Sequence, residues 1–216
     1  MKANKKAIRR NNGEIYYTHI ETGSNNICFM LSGTGYTYDK PLFYYATMTM
    51  LHHNVDVVHI HYTYDQSALK RPLEDISTIM MEDIHPVIEA VLREGRYKKK
   101  IFLGKSLGTI PMTHSLMKRE EFAASTMILL TPLLNSGTMT DAVLNSTHKG
   151  LLVIGDKDIH YNKEQVERLS KTNLQIEVIH GANHSLDIER NDTAGSLLVL
   201  SRIMEKLEKI VKEMAE

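Results

Sequence analysis

Short apolar runs of strand length recur along the chain and alternate with stretches of helical periodicity. Runs such as "NICFML" and "GLLVIG" are apolar throughout, as expected for strands covered on both faces of a sheet. This pattern predicts strands over residues 14–20, 26–31, 55–61, 100–104, 126–131, 150–155 and 174–180. Helices are predicted over about 41–53, 73–93, a segment after 106, 162–170 and the carboxyl-terminal stretch. Alternating strands and helices predict a three-layer α/β/α sandwich with a mostly parallel central sheet.

Length and composition limit the class of protein. The chain has 216 residues, which suits one domain over residues 1–216 with a core that needs no disulfides. The formal net charge is 0, which argues against nucleic acid or an anionic membrane as a partner. Cys28 is the one cysteine, and the basic amino terminus is not followed by the apolar segment of a secretory signal. With no apolar run of about 20 residues, we expect no membrane span and a cytoplasmic location.

The segment "IFLGKSLGTIP" places Ser106 between two glycines, directly after a predicted strand. A phosphate-binding loop would need a glycine where Lys99 stands, so that alternative fails. A strand that passes directly into a helix must turn sharply, and Gly104 and Gly108 remove side chains that would collide across the turn. A G-x-S-x-G turn of this kind exposes the serine hydroxyl at the edge of the sheet as a nucleophile.

A serine nucleophile needs a base to take its proton and a third group to orient that base. Downstream of Ser106, "DKD" follows the predicted strand at 150–155, and "GANHSLD" follows the one at 174–180. A carboxylate and an imidazole therefore arrive in the chain order serine, acid, histidine. Asp156 and Asp158 are alternatives for the acid, and Asp187 is a third that we expect to cap a turn or face solvent.

Together these motifs resemble the α/β-hydrolase superfamily, over nearly the whole chain. "GKSLG" is similar to the family's nucleophile elbow, "GDKD" to its G-x-x-D and "GANHSL" to its histidine loop. The resemblance implies a catalytic triad of Ser106, Asp158 and His184. "LSGTG" is similar to the His-Gly-x-Gly loop, with serine where histidine is common. The resemblance implies an oxyanion hole formed by the backbone amides of Thr34 and Leu107.

The resemblance also bears on size. Residues 132–149, which we expect to be irregular, are too few for the helical insertion of a cap domain, so a minimal, lidless member is implied. Met139 and Leu144 in that segment are candidates for a flap. The chain is also expected to be short at its amino terminus, where the family often has two further strands.

The implied function is that of a serine hydrolase, carboxylesterase- or thioesterase-like, which cleaves a carboxylic ester or thioester through an acyl-enzyme. The implied partner is a small-molecule acyl substrate, and neither a metal nor an organic cofactor is required. Two alternatives stay open: a peptidase or acyltransferase that uses the same triad, and a non-catalytic small-molecule binding protein with a hydrolase fold.

Tyrosines are concentrated in one part of the chain. Six of the ten tyrosines lie between residues 36 and 64, near loops that would frame the site, so Tyr36 and Tyr62 are candidate contacts for an amphipathic or ring-bearing substrate.

Histidines raise the alternative of a metal site. His59 and His61 lie two residues apart on a predicted strand and so share a face, where they could bind one ion. A metallohydrolase would have more ligands close behind them, so we favour a structural role for both, and for His114.

Overall fold

The computed structural model describes residues 1–10, 13–93, 95–188 and 192–215. Within them, eight strands form one sheet in the order β1-β2-β4-β3-β5-β6-β7-β8. The strands are β1 (Lys2–Arg10), β2 (Gly13–Glu21), β3 (Asn26–Leu31), β4 (Asp56–His61), β5 (Lys99–Lys105), β6 (Thr126–Leu130), β7 (Gly150–Gly155) and β8 (Leu174–Ile179). The helices are α1 (Pro41–His52), α2 (Leu73–Leu92), α3 (Thr109–His114), α4 (Gly137–Leu144), α5 (Lys163–Leu169) and α6 (Thr193–Ala215).

The central strands are covered on both faces, as their apolar composition predicts. Neighbouring side chains of a strand point to opposite faces, so Phe102 and Leu103 belong to different hydrophobic clusters. One cluster packs α2, α3, α4 and α5 against one face, and the other packs α1 and α6 against the opposite face. Pairing is parallel from β4 through β8 and antiparallel for β1–β2 and β2–β4. The predicted three-layer sandwich with a mostly parallel sheet is confirmed.

The expectation of a shortened amino terminus was wrong. β1 and β2 form an antiparallel pair that adds two strands to the edge of the sheet before β3. The sequence pattern missed β1 because its side chains are mostly exposed and polar, with only Asn4, Ile8 and Arg10 partly buried. An edge strand of this kind is held by backbone pairing, which leaves little apolar periodicity to detect.

The prediction that residues 132–149 are irregular was also wrong, because they include α4. Met139 on this helix is fully buried and its sulfur lies 4.0 Å from Thr109 Oγ1 of α3. Leu144 packs against the same hydrophobic cluster, and Arg168 of α5 forms an ion pair with Asp141. This segment is therefore packed against α3 and α5, neither of the two flap candidates is free, and the described chain has no cap domain.

Parallel pairing brings the loops after six strands to one edge of the sheet. The strands β3, β4, β5, β6, β7 and β8 all run in the same direction, so the segments that follow them lie at their shared carboxyl edge. In α/β sheets this edge is where ligands bind. The extent of one domain over residues 1–216 stays a prediction. None of the helices in the described part of the chain is long and apolar enough to cross a membrane.

Candidate active site

The turn after β5, the elbow, holds Ser106 in a backbone conformation that L-residues rarely adopt. Its φ angle is 51°, in the left-handed region. It follows extended Lys105 and begins a short 3₁₀ turn that leads into α3. A Cβ on Gly104 would lie 2.6 Å from the Gly108 carbonyl oxygen, as a collision across the turn requires. A Cβ on Gly108 would lie 2.0 Å from the carbonyl oxygen of Leu31, so this glycine lets the elbow approach β3. The two glycines therefore fix the elbow by different contacts.

Two hydrogen bonds connect Ser106, His184 and Asp158. The Ser106 hydroxyl lies 2.8 Å from His184 Nε2, and His184 Nδ1 lies 2.8 Å from Asp158 Oδ2. Because a carboxylate accepts, Nδ1–H donates to Asp158, which leaves Nε2 as the acceptor for the serine proton. The Asp158 side chain has no exposed area, and its Oδ1 accepts the His160 amide at 2.9 Å. The structure thus brings together the three residues that the sequence singles out.

The two competing aspartates occupy other places. Asp156 accepts the Gly181 amide at 2.8 Å and contacts His180 Nδ1 at 2.6 Å, so it anchors the start of the histidine loop, residues 180–188. Asp187 is exposed, and its carbonyl oxygen accepts the Asn183 amide at 2.9 Å within that loop. Neither carboxylate bonds to His184, so the geometry favours Asp158 as the acid.

The oxyanion loop, residues 32–36, packs directly on the elbow. A Cβ on Gly33 would lie 3.3 Å from Ser106 Cβ and 3.2 Å from the Lys105 carbonyl oxygen. The Tyr36 amide donates to the Gly33 carbonyl at 3.2 Å, which makes the loop a tight turn. Thr34 follows Gly33 in this turn, and Leu107 follows Ser106. The two residues proposed to supply oxyanion amides therefore belong to segments that meet at the serine.

Tyrosine hydroxyls brace this edge of the sheet. Tyr62 donates to the Ser32 carbonyl oxygen at 2.8 Å, and so holds the start of the oxyanion loop. The Tyr38 hydroxyl lies 2.7 Å from the Ile60 carbonyl oxygen and its ring stacks on His59 at 4.2 Å. Tyr36 differs, because it lines a groove of about 450 Å³ beside the histidine loop. That Tyr36 and Tyr62 contact substrate stays a prediction, with the Tyr62 hydroxyl committed to the backbone.

Sequence analysis missed Lys105, which is buried directly before the serine. Its Nζ donates to the His184 carbonyl oxygen at 2.8 Å and to Thr131 Oγ1 at 3.2 Å, and lies 4.6 Å from the centre of the Tyr36 ring. Burial lowers the pKa of Lys105 to about 8, although Asp158 and Asp187 oppose that shift. The sequence did carry a signal for it, because Lys105 ends β5 directly after the apolar residues 101–104, and a lysine buried at such a position needs polar partners.

The histidines considered as metal ligands have structural partners. His59 Nε2 lies 2.9 Å from Thr47 Oγ1, and burial lowers the pKa of His59 to about 4. His61 Nε2 lies 2.9 Å from Thr18 Oγ1. His114 lies 3.2 Å from Thr138 Oγ1 through Nε2. None of the three belongs to a metal-ligand cluster of the described residues, which supports the structural role predicted for each.

Several solved structures share this fold at low sequence identity. Est1E from Butyrivibrio proteoclasticus aligns with a TM-score of 0.73 and 15% identity, over 98% of this chain and 99% of that one. An α/β serine hydrolase homologue from Coxiella burnetii aligns with a TM-score of 0.70 and 14% identity, over 97% of each chain. XC6422 from Xanthomonas campestris, described as an α/β serine hydrolase without lid, gives 0.71 and 13%, over 99% and 95%. At these identities the likeness shows the fold.

Sequence comparison gives the family. No curated protein matches the chain. A sequence model of the family described as "Alpha/beta hydrolase domain" matches residues 25–212, a range that includes the elbow, the Asp158 loop and the histidine loop. The chain belongs to the α/β-hydrolase family.

Proposed function

We propose that the protein is a serine hydrolase that cleaves a carboxylic ester or thioester through an acyl-enzyme formed on Ser106. The observation that carries the proposal is the unbroken hydrogen-bond chain from the Ser106 hydroxyl through His184 to the buried Asp158 carboxylate. The left-handed backbone at Ser106 supports it, because strain of this kind persists where a function uses it.

Each residue then has one role in the reaction. Ser106 Oγ attacks the acyl carbon while His184 Nε2 takes the hydroxyl proton, and the ester or thioester bond breaks as the imidazolium returns that proton to the leaving oxygen or sulfur. A water molecule, deprotonated by the same imidazole, then releases the acid and restores the serine. Asp158 holds the Nδ1 tautomer and stabilises the imidazolium by charge.

The amides of Thr34 and Leu107 are the proposed donors to the tetrahedral oxyanion. Their segments meet at Ser106, since a Cβ on Gly33, directly before Thr34, would lie 3.3 Å from the Ser106 Cβ. The brace from Tyr62 to the Ser32 carbonyl oxygen keeps the loop in place before substrate arrives. Preorganised donors of this kind contribute about 3–4 kcal/mol each to transition-state stabilisation in related chemistry.

The groove of about 450 Å³ is the proposed site for the apolar part of the substrate. Its lining includes the apolar side chains of Tyr36, Leu42, Leu186, Leu197, Leu200 and Ile203. Leu186 belongs to the histidine loop and Tyr36 to the oxyanion loop, so the groove shares walls with the candidate active site. Leu197→Trp would fill it and should lower hydrolysis of octanoate more than acetate, whereas Leu198→Trp, on an exposed neighbour outside the lining, should not.

The decisive experiment compares wild type, Ser106→Ala and Ser170→Ala. A fluorophosphonate probe and the p-nitrophenyl esters acetate, butyrate and octanoate are the reagents. Ser170 is the matched control, because it is an exposed serine that follows α5 and lies outside the lining of the groove. We expect Ser106→Ala to lose labelling and to lose kcat by on the order of 10⁶-fold, and Ser170→Ala to keep both.

Other outcomes would assign the chain differently. Labelling without ester turnover, together with cleavage of anilides or transfer to an added alcohol or amine, would favour a peptidase or acyltransferase on the same three residues. Neither labelling nor turnover in folded wild type would contradict the proposal. Tight binding of a small molecule that Ser106→Ala leaves unchanged would then favour a binding protein.

A further inference from the structure

A second histidine lies beside the proposed triad and has no part in the reaction described above. His160 follows Asp158 by two residues, and the turn between them is closed by the His160 amide, which donates to Asp158 Oδ1 at 2.9 Å. The His160 and His184 rings are 5.2 Å apart between centroids, with an interplanar angle of 69°. The His160 ring also contacts Asn135, whose Oδ1 lies 3.1 Å from Nδ1.

Asp158, His160 and His184 form a candidate metal site. One ligand atom from each lies within 4.8 Å of the other two. Two imidazoles and a carboxylate are an established ligand set for Zn²⁺, which takes tetrahedral geometry with bonds of about 2.0–2.2 Å. Ligand atoms in such a site are about 3.3–3.5 Å apart, so small movements of half-buried side chains would complete it. Water can supply the fourth ligand, since His184 keeps 33% of its side chain exposed.

The described residues include one other candidate group, formed by one histidine and two carboxylates: His19, Glu21 and Asp56. There Arg96 already supplies the positive charge, with Nη2 at 2.6 Å from Glu21 and 3.2 Å from Asp56. A divalent cation would have to displace that guanidinium. The group beside the triad has no arginine partner among its described ion pairs, so it is the better zinc site.

We propose that Zn²⁺ binds reversibly to Asp158, His160 and His184 and switches the triad off. Zinc on His184 Nε2 takes the lone pair that would accept the serine proton. Zinc on Nδ1 displaces the proton that is donated to Asp158, so the imidazole loses its orienting partner. Either bond stops general-base catalysis. The Lys105 ammonium lies close by, since its Nζ donates to the His184 carbonyl oxygen at 2.8 Å, and its like charge opposes zinc binding.

The inhibitory half of the proposal rests on the proposed function, whereas zinc binding does not. Binding is therefore measured first, by calorimetric titration of the full chain with Zn²⁺ and by the visible absorption of Co²⁺ in tetrahedral coordination. The variants are His160→Ala and His160→Phe, the second of which keeps the ring volume and removes both nitrogens. His180→Ala is the matched control, because His180 is an exposed histidine that contacts a different aspartate, Asp156.

We expect one high-affinity site, at least tenfold weaker in both His160 variants and unchanged in His180→Ala. Fluorophosphonate labelling of wild type should slow at least tenfold in saturating Zn²⁺ and recover with a chelator, while the His160 variants resist zinc. Equal zinc affinity in wild type and in folded His160→Phe would overturn the site, and undiminished labelling of zinc-loaded wild type would overturn the switch. Zinc binding that depends on His160, in a protein that never labels, would uphold the site and contradict the proposed function instead.

Discussion

Replacing Lys105 with methionine tests whether a buried cation holds the proposed catalytic histidine in place. Methionine keeps the length and most of the apolar contact of lysine but cannot donate to the His184 carbonyl oxygen, 2.8 Å from Nζ, or to Thr131 Oγ1, 3.2 Å from it. Lys105 touches the backbone of His184 and not the reacting atoms, so it is a positioning residue. We expect kcat to fall while KM changes little.

The magnitude follows from the hydrogen bond to His184. A charged donor contributes about 1.5–3 kcal/mol, and each 1.4 kcal/mol is a factor of ten. If that energy keeps the histidine loop docked, kcat of Lys105→Met should fall by roughly 10- to 150-fold. The unfolding free energy at pH 7 should stay the same or rise, because methionine also removes a desolvated charge. A fall in kcat without a fall in the unfolding free energy would distinguish a positioning role of Lys105 from a general loss of folding.

The pH dependence provides a second readout. The pKa of Lys105 is about 8 in the folded protein and 10.5 in the unfolded chain. Between these values the unfolded state holds a proton that the folded state has released, so the contribution of Lys105 to stability rises with pH and is lowest below pH 8. The difference in unfolding free energy between wild type and Lys105→Met should therefore rise from pH 8 to 10 in urea titrations.

The control for this variant is Lys149→Met, an exposed lysine at the opposite end of the sheet. It should leave kcat, stability and the pH trend unchanged. A Lys105→Met enzyme with kcat within twofold of wild type, or a difference in stability that stays flat from pH 8 to 10, would refute the assigned role of the ammonium.

Three further predictions concern the acid, the elbow and the acid stability of the fold. Asp158→Asn should lower kcat roughly 10⁴-fold in p-nitrophenyl ester assays, because the amide favours the wrong histidine tautomer, and Asp156→Asn less than tenfold; equal losses would contradict the assignment. Gly108→Ala should lower the unfolding free energy in urea by about 3 kcal/mol or more through its clash with β3, whereas Gly137→Ala meets no atom within 4 Å and should not. The pKa of His59 is about 4 in the folded protein and 6.5 in the unfolded chain. Between these two pH values only the unfolded chain binds the proton, so the free energy of unfolding falls as the pH drops from 6.5 to 4. His59→Phe should flatten that fall, and an unchanged slope would exclude the residue as its cause.

Local patterns located most of the fold. The strand predicted over 150–155 matches β7 residue for residue, because a strand covered on both faces is apolar throughout. Pro41 begins α1 where the sequence predicts a helix start, since proline suits the first helical turn. β1 and α4 were missed for opposite reasons. β1 is an exposed polar edge strand, and α4 has a short apolar face within eight residues.

Local sequence patterns also predicted part of the candidate site. Ser106 was found because the elbow imposes glycine at two positions in a span of five residues. Spacing alone left Asp156 and Asp158 as alternatives, since they lie two residues apart in one loop, and the resemblance of "GDKD" to the family's G-x-x-D favoured Asp158. The direction of each carboxylate in space is what distinguishes the partner of His184 from the anchor of Gly181.

The sequence by itself determined seven of the eight strands, most of the helices and the serine turn, because strand burial, helical periodicity and a crowded turn each constrain residues that are close along the chain. The tertiary structure decided which distant side chains meet. Ser106 and His184 are 78 positions apart, and Lys105 reaches the carbonyl of a residue 79 positions away. Contacts of that kind depend on parallel strands that deliver their loops to one edge, a geometry that no local pattern encodes.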